Sequence, residues 1–287
     1  MTRYLHSLTL LFVLLTPALA QQPVGTLAKI AASQRFVIGY VPDAPPLSFR
    51  DKSGQPVGYS IELCKVIAAA VKQRLGLDEL TVDYVPLVRP AERIASVVNG
   101  KIDIECGAST ITLARREQVD FTLMTLITGA SSLSLAKSGI KSNVELVGKK
   151  VAVVAGTTTE TALKNFLETN DFKAVIVEVD THQIGLGELD QGRVDAYVSD
   201  QAILTGHVIE AADPANYRLA PDVFSFEPYG FMVRKDDSEF RLVADRALAG
   251  VFRSQRIQRL YHQWFGRYGI PQSRVLKAMY QFEALAD

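Results

Sequence analysis

The chain has 287 residues, 48% hydrophobic and 22% charged, a balance that excludes a disordered, collagenous or disulfide-dense protein and suits one or two domains with a real core. Its 31 basic and 31 acidic side chains cancel, so no surplus positive charge attracts a phosphate backbone and nucleic acid is a poor candidate partner. The only long apolar run lies at the extreme N-terminus, and nothing later in the chain is suited to span a membrane.

That run reads as an export signal over 1–20. Arg3 gives a small positive start, and the apolar stretch 8–15 is far short of the ~20 residues of a spanning helix. Pro17 breaks it, and Ala18-Leu19-Ala20 is the small-x-small pattern that precedes cleavage, here ahead of Gln21. No cysteine follows that point to carry a lipid anchor, so the expectation is a secreted, periplasmic protein. In an oxidising compartment Cys64 and Cys106 can form a disulfide, or be two buried small hydrophobes; the sequence leaves both open. Two isolated cysteines without nearby histidines lack the spacing of a metal site.

After an N-terminal segment, 21–35, strands and helices alternate. A short apolar strand at 36–41 ends in a turn with Pro42, Pro45 and Pro46. A helix over 60–75 carries Ile61, Cys64, Ala68, Val71 and Leu75 on one stripe. A strand at 80–85, a helix at 91–98 and a strand at 101–106 complete a βαβαβ order, which implies parallel strands covered by helices. A second such unit has strands at 151–155, 174–179 and 194–199, with helices after 156–160 and over 182–191. The last strand, 230–233, and the helices 239–252 and 255–265 have no second sheet of their own, so they are expected to return to the first. The predicted plan is a two-lobed α/β fold: lobe 1 from 36–130 and 226–265, lobe 2 inserted as 131–225, and a C-terminal tail, 266–287. Crossings near 126–134 and 224–229 would act as a hinge, with the ligand in the cleft beyond the strand ends.

Candidate ligand-holding residues follow strands. The segment after Cys106 carries Ala108 and the hydroxyls of Ser109, Thr110 and Thr112, with Arg115 one turn later; a guanidinium beside N–H groups and hydroxyls suits a carboxylate, and Thr112 equally suits a helix cap with Arg115 on the surface. Gly156, Thr157 and Thr158 open a helix, where Thr157 and Glu160 fit a capping box and the free N–H groups suit an anion. This is not a phosphate-binding loop, because the downstream Gly-Lys-Ser/Thr is missing. Asp200 and His182 both stand at strand exits that start helices, where a carboxylate can accept from an ammonium group or cap, and a histidine is more often a cap or surface residue than a ligand contact. No nucleophile elbow, no His-Glu-x-x-His and no paired cysteine and histidine point to catalysis, and no cofactor is expected.

The chain resembles the periplasmic solute-binding proteins of amino-acid ABC importers, family 3, over about 36–265. The resemblance is carried by Pro56 to Ser60 with Glu62 and Leu63, Gly100 with Asp103, Thr110 with Arg115, Val119 to Thr122, Gly156-Thr157, Gly192 with Asp195 and Asp200, and Trp264-Phe265. Arg93-Ile94, Glu105-Cys106-Gly107, His182 and Tyr229-Gly230 ahead of Arg234 make it most similar to the glutamate/aspartate-binding members. The resemblance implies the type II binding-protein fold: a monomer whose lobes close over one amino acid and which presents the closed form to inner-membrane permease subunits. By position, Arg115 grips the α-carboxylate with Thr110 and the backbone around Ala108; Gly156 and Thr157 add donors, and Asp200 takes the α-ammonium. Ala108 stands where many relatives have serine, and Ala44 near the place of a covering aromatic ring, with Leu47 or Phe49 as substitutes. Arg93 and His182 match positions that hold a side-chain carboxylate, whereas Val41 replaces a second arginine. The expected ligand is therefore a polar amino acid, glutamate or aspartate ahead of glutamine. Two other readings are a dehydratase of prephenate-like acids on the same scaffold, using Glu105 or His182, and a periplasmic sensor.

Overall fold

The computed structural model describes residues 25–286 apart from 255, 267 and 268; the expected export signal lies outside the described residues. The chain opens with α1 (Gly25–Ser33), a helix inside the stretch that the sequence marks only as a segment. Leu27 and Ile30 bury one face of it, and Asp237 accepts from the Thr26 N–H at 2.8 Å. β1 (Arg35–Tyr40) follows, then a small antiparallel sheet of β2 (Asp43–Ala44), β3 (Ser48–Arg50) and β4 (Pro56–Val57) around the proline turn. α2 (Tyr59–Arg74), β5 (Thr81–Pro86), α3 (Pro90–Val98) and β6 (Ile104–Glu105) continue the alternation, with β1 parallel to both β5 and β6. β6 is shorter than the predicted 101–106; just before it the buried Asp103 carboxylate accepts from the Val37 N–H and from Lys29, both at 2.8 Å.

α4 (Leu113–Arg116) and β7 (Val119–Phe121) lead to β8 (Leu126–Thr128), and β9 (Ala130–Leu135) enters a second sheet. That sheet is built by β10 (Lys150–Val154), α5 (Thr158–Thr169), β11 (Val175–Val179), α6 (His182–Asp190), β12 (Ala196–Asp200), α7 (Gln201–Glu210) and β13 (Tyr217–Leu219), in the order β11-β10-β12-β9-β13. The chain then recrosses through β14 (Glu227–Tyr229), which pairs antiparallel with β8, Leu126 opposite Tyr229. β15 (Met232–Arg234) inserts antiparallel between β6 and β7, so the first sheet runs β5-β1-β6-β15-β7. α8 (Ser238–Arg253), α9 (Arg256–Trp264) and α10 (Arg274–Phe282) finish the chain.

The apolar runs that read as strands are continuous because each main sheet is covered on both faces. In β10, Val151 and Val153 join Leu163 and Leu167 of α5 in one core, while Ala152 and Val154 join Leu189 and Tyr197 in the other. The period-two alternation thus feeds two cores from one strand. The same division separates Val233 from Met232 in β15.

The C-terminal stretch is not a loose tail. Ser273 caps α10 by accepting from the Leu276 N–H, and Leu276, Met279 and Tyr280 are buried in the first lobe's core. Full burial of a large apolar side chain contributes about 1.5–3 kcal/mol, enough for three of them to hold a short helix in place. The Tyr59 hydroxyl donates to the Thr125 carbonyl at 2.8 Å, so at 2.7 Å the Tyr280 hydroxyl is left to donate to Tyr59. Cys64 and Cys106 form a disulfide, which resolves the alternative left open by sequence and ties α2 to the loop after β6. Among the described residues no helix is long and apolar enough to cross a membrane.

Candidate functional site

The loop after β6 is shaped from beneath. Gly107 is required there, because a β-carbon would stand 2.2 Å from a Glu105 carboxylate oxygen and 2.7 Å from Val41. Ser60 of α2 fixes the loop by donating to the Gly107 carbonyl at 2.8 Å. Thr112 does cap α4, accepting from the Arg115 N–H at 3.1 Å. The same turn aims Arg115 back over the loop, where one guanidinium nitrogen donates to the Thr110 carbonyl at 2.7 Å. Capping and aiming are one arrangement, not alternatives.

Opposite lies the end of β12. The Asp200 carboxylate makes no capping bond to α7; it accepts from the Thr159 hydroxyl at 2.7 Å and, in a short hydrogen bond, from Tyr229. Burial and then the nearby Glu227 charge push the Asp200 carboxyl up to about 6, while the bonds from Tyr229 and Thr159 act in the other direction. Burial, followed by the Asp200 charge, raises the Tyr229 phenol, which therefore keeps its proton.

Glu227 itself, on the returning crossing, is the junction of the site. One of its oxygens accepts from Thr110 at 2.7 Å and from Thr158 at 2.9 Å; the other accepts from Ser225 at 2.7 Å. Ser225 in turn accepts from the Ala130 N–H at 2.9 Å, on the outgoing crossing. A hydroxyl from each lobe and both crossings thus converge on one buried carboxylate. Sequence reasoning passed over Glu227; the available signal was a lone acid between Phe226 and Pro228 in an otherwise apolar crossing.

Arg115 and Asp200 face a cavity of about 20 Å³, lined from the first lobe by Val41, Arg93, Ala108 and Arg115. The second lobe contributes Val154, the threonines 157–159, His182, Val198, Ser199, Asp200 and Ile203. Of the predicted residues, Arg93, Ala108, Arg115, Thr157, Thr158, His182 and Asp200 are therefore brought together. Ser109 and Thr110 stand just behind this wall, Ser109 accepting from Arg93 at 3.4 Å. Gly156 is exposed and outside the lining, and its N–H, expected as a ligand donor, is taken by Glu160 at 2.7 Å. The helix-start signal identified α5 correctly, but its own acid closes the cap.

The far end of the cavity is different in kind. Arg93 is 7% exposed and its Nε has no hydrogen-bond partner. Glu105, fully buried beneath, makes no well-formed hydrogen bond on either oxygen; burial raises its carboxyl above the usual range, and the Arg93 charge, the Ser109 hydroxyl, the Arg115 charge and the Gly107 N–H act against this. His182 starts α6 beyond the Thr181 cap, with Nδ1 at 2.6 Å from the Tyr197 hydroxyl. Burial, then Arg93, pulls its pKa down to about 3, so the imidazole is neutral at pH 7. Val41 and Ala108 supply apolar walls. Among the described residues no group of three His, Cys, Asp or Glu side chains is arranged to hold a metal ion.

This geometry agrees with what the chain is similar to. An L-glutamate/L-aspartate-binding protein of Pseudomonas aeruginosa is 35% identical over 88% of this chain and 84% of its own. A glutamate/aspartate import solute-binding protein of Escherichia coli is 32% identical over 84% and 80%. Among solved structures, an ancestral arginine-binding protein bound to glutamine matches with a TM-score of 0.71 and 32% identity, covering 81% of this chain and 98% of that one. The model of the bacterial extracellular solute-binding proteins, family 3, matches residues 36–267, and with a two-lobed α/β fold and a cleft built from both lobes the chain belongs to that family of amino-acid-binding proteins.

Proposed function

We propose that this protein is the extracytoplasmic component of an ABC importer that binds a polar amino acid by closing two lobes over it, glutamate or aspartate ahead of glutamine. The observation that carries this reading is the pairing across the cleft of Arg115 from one lobe with Asp200 from the other, both lining one cavity. A guanidinium and a carboxylate on opposite walls match the two charges of an amino-acid head group. The wall beyond holds Arg93, with an unused Nε donor, and a neutral His182, which suits a carboxylate or amide side chain. Val41 and Ala108 leave that end with a single cation, which narrows the margin between glutamate and glutamine.

The cavity has room for about one water molecule, so an amino acid can enter only when the lobes part. In this reading lobe 1 comprises 36–130 and 226–265, lobe 2 comprises 131–225, and the paired crossings β8 and β14 act as the hinge. The leader at 1–20 directs the chain to the periplasm, where it acts as a monomer and delivers its cargo to permease subunits, without catalysing a reaction.

A thermal-shift panel of the twenty amino acids tests the reading. A ligand bound only by the native state stabilises it by about 4 kcal/mol at a thousandfold excess over Kd. Stabilisation by glutamate, aspartate or glutamine is expected; a response only to leucine or lysine overturns the pocket assignment.

A further inference from the structure

Two contacts between the lobes lie outside the amino-acid cavity. Gly206 sits in the middle of α7, where glycine weakens a helix relative to alanine and calls for a reason. The reason is close approach: a β-carbon there would stand 2.1 Å from the Pro45 carbonyl oxygen and 2.3 Å from its carbon, both main-chain atoms of the other lobe. Beside it, Asp43 of the same turn accepts the Gln183 N–H at 3.1 Å. Gln183 is in the first turn of α6, whose N–H groups have no intrahelical acceptors. Thr181 of its own lobe satisfies Ile184 there, and Asp43 of the opposite lobe satisfies Gln183. Neither Asp43 nor Gly206 lines the cavity.

We infer that Gly206 and Asp43 form a clasp that sets how far the lobes close, and so are positioning residues for ligand binding although neither touches the ligand. The inference rests on the closing-cleft reading above. Any side chain at Gly206 wedges α7 off the Pro45 carbonyl, and because that backbone cannot swing aside as a flexible side chain would, the wedge is transmitted to the lobe as a whole. Arg115 and Asp200 are then held apart on opposite walls, and the ligand is gripped by one lobe only. The fold within each lobe is untouched, which separates a clasp from a structural glycine.

The test is calorimetry and small-angle scattering with L-glutamate and L-glutamine on wild type, Gly206→Ala and Asp43→Ala. For Gly206→Ala the expected result is a ligand-free melting temperature like that of wild type, an affinity at least tenfold weaker, and a particle that fails to compact fully at saturation. Asp43→Ala should weaken binding severalfold with the same signature. Wild-type affinity and compaction in Gly206→Ala overturn the clasp. If that variant does not fold, unchanged affinity in Asp43→Ala overturns it instead. Wild type that neither binds nor compacts with either amino acid is a different failure, that of the closing-cleft reading itself.

Discussion

The two ends of the cavity are built on opposite principles. At the Arg115–Asp200 end the acceptors are satisfied by the protein: Glu227 takes three hydroxyls, and Asp200 takes two. At the Arg93 end, the Arg93 Nε and both Glu105 oxygens are buried without a well-formed hydrogen bond, and Glu105 has only the weaker pull of Ser109 and the Gly107 N–H. A buried donor left unmade costs about 1–3 kcal/mol, so the Arg93 Nε, whose side chain lines the cavity, is the group that gains from an acceptor supplied by the ligand, while Glu105 lies behind that wall. In the proposed reading the satisfied end is preorganised for a group that never varies, the amino-acid head. In the same reading the other end is where one side chain is told from another.

The comparison is broken most directly at Arg115. If it forms the fork on the α-carboxylate, Arg115→Ala should cost roughly 3–5 kcal/mol of binding for every amino acid alike, because a buried carboxylate loses its charge partner. Arg115→Lys should recover little, since a point-charge ammonium cannot replace two parallel N–H donors. Calorimetry that finds either variant binding as wild type would falsify the assignment of this end to the head group.

Arg93→Ala should behave differently. Loss of a charge-assisted bond is worth about 1.5–3 kcal/mol, and it should fall on glutamate far more than on glutamine. Equal losses for acid and amide would mean that Arg93 only supports the wall, and the contrast between the ends would fail.

The same contrast explains what the sequence could and could not reveal. The two βαβαβ units and the return of the last strand to the first sheet were legible, because alternating apolar strands and helices and the lack of a second sheet for that strand leave few solutions, whereas the antiparallel β9 and β13 were not. Arg115, Asp200 and His182 were legible because strand exits are where such folds place ligands. Gly156 misled, since a helix N-terminus offers the same N–H groups to a ligand or to Glu160, and only geometry shows that Glu160 takes one at 2.7 Å. Glu227 was hidden for a different reason: its role comes from convergence of segments far apart in the chain, Thr110 and Thr158, whereas Glu105 stands out in the sequence, but as a motif residue and a candidate catalytic acid and not as the neighbour of Arg93. The stretch 266–287 reads only as a C-terminal tail, and that α10 forms there and docks on the core shows only once Tyr280 is seen against Tyr59.

A smaller effect is expected from protons at the head-group end. The Asp200 carboxyl is raised to about 6, first by burial and then by Glu227. An ammonium group needs the ionised form, so affinity should be constant above that pH and fall as pH drops through about 6, by at most tenfold per unit. Glu227→Gln keeps an acceptor for Thr110 and Thr158 but removes the neighbouring charge, so the midpoint should move to lower pH. Titrations between pH 4 and pH 8 check both the direction of the profile and its displacement; a profile that rises toward acid overturns the role given to Asp200.

The smallest effect, and the finest test of the contrast, lies at Glu105. Its carboxyl is buried near Arg93, so any negative charge it carries competes with an acidic ligand side chain for the cation at that end. Glu105→Gln is nearly the same shape and removes that competition. Burial raises the Glu105 carboxyl and so opposes its ionisation, which keeps the expected gain in the preference for glutamate over glutamine small. The gain should grow with pH, because the wild-type acid ionises more fully while the amide does not, and it should leave the shared affinity for the head group in place. A uniform loss for both ligands would instead make Glu105 a support for the Gly107 loop, against which its oxygen lies, with no part in choosing the side chain.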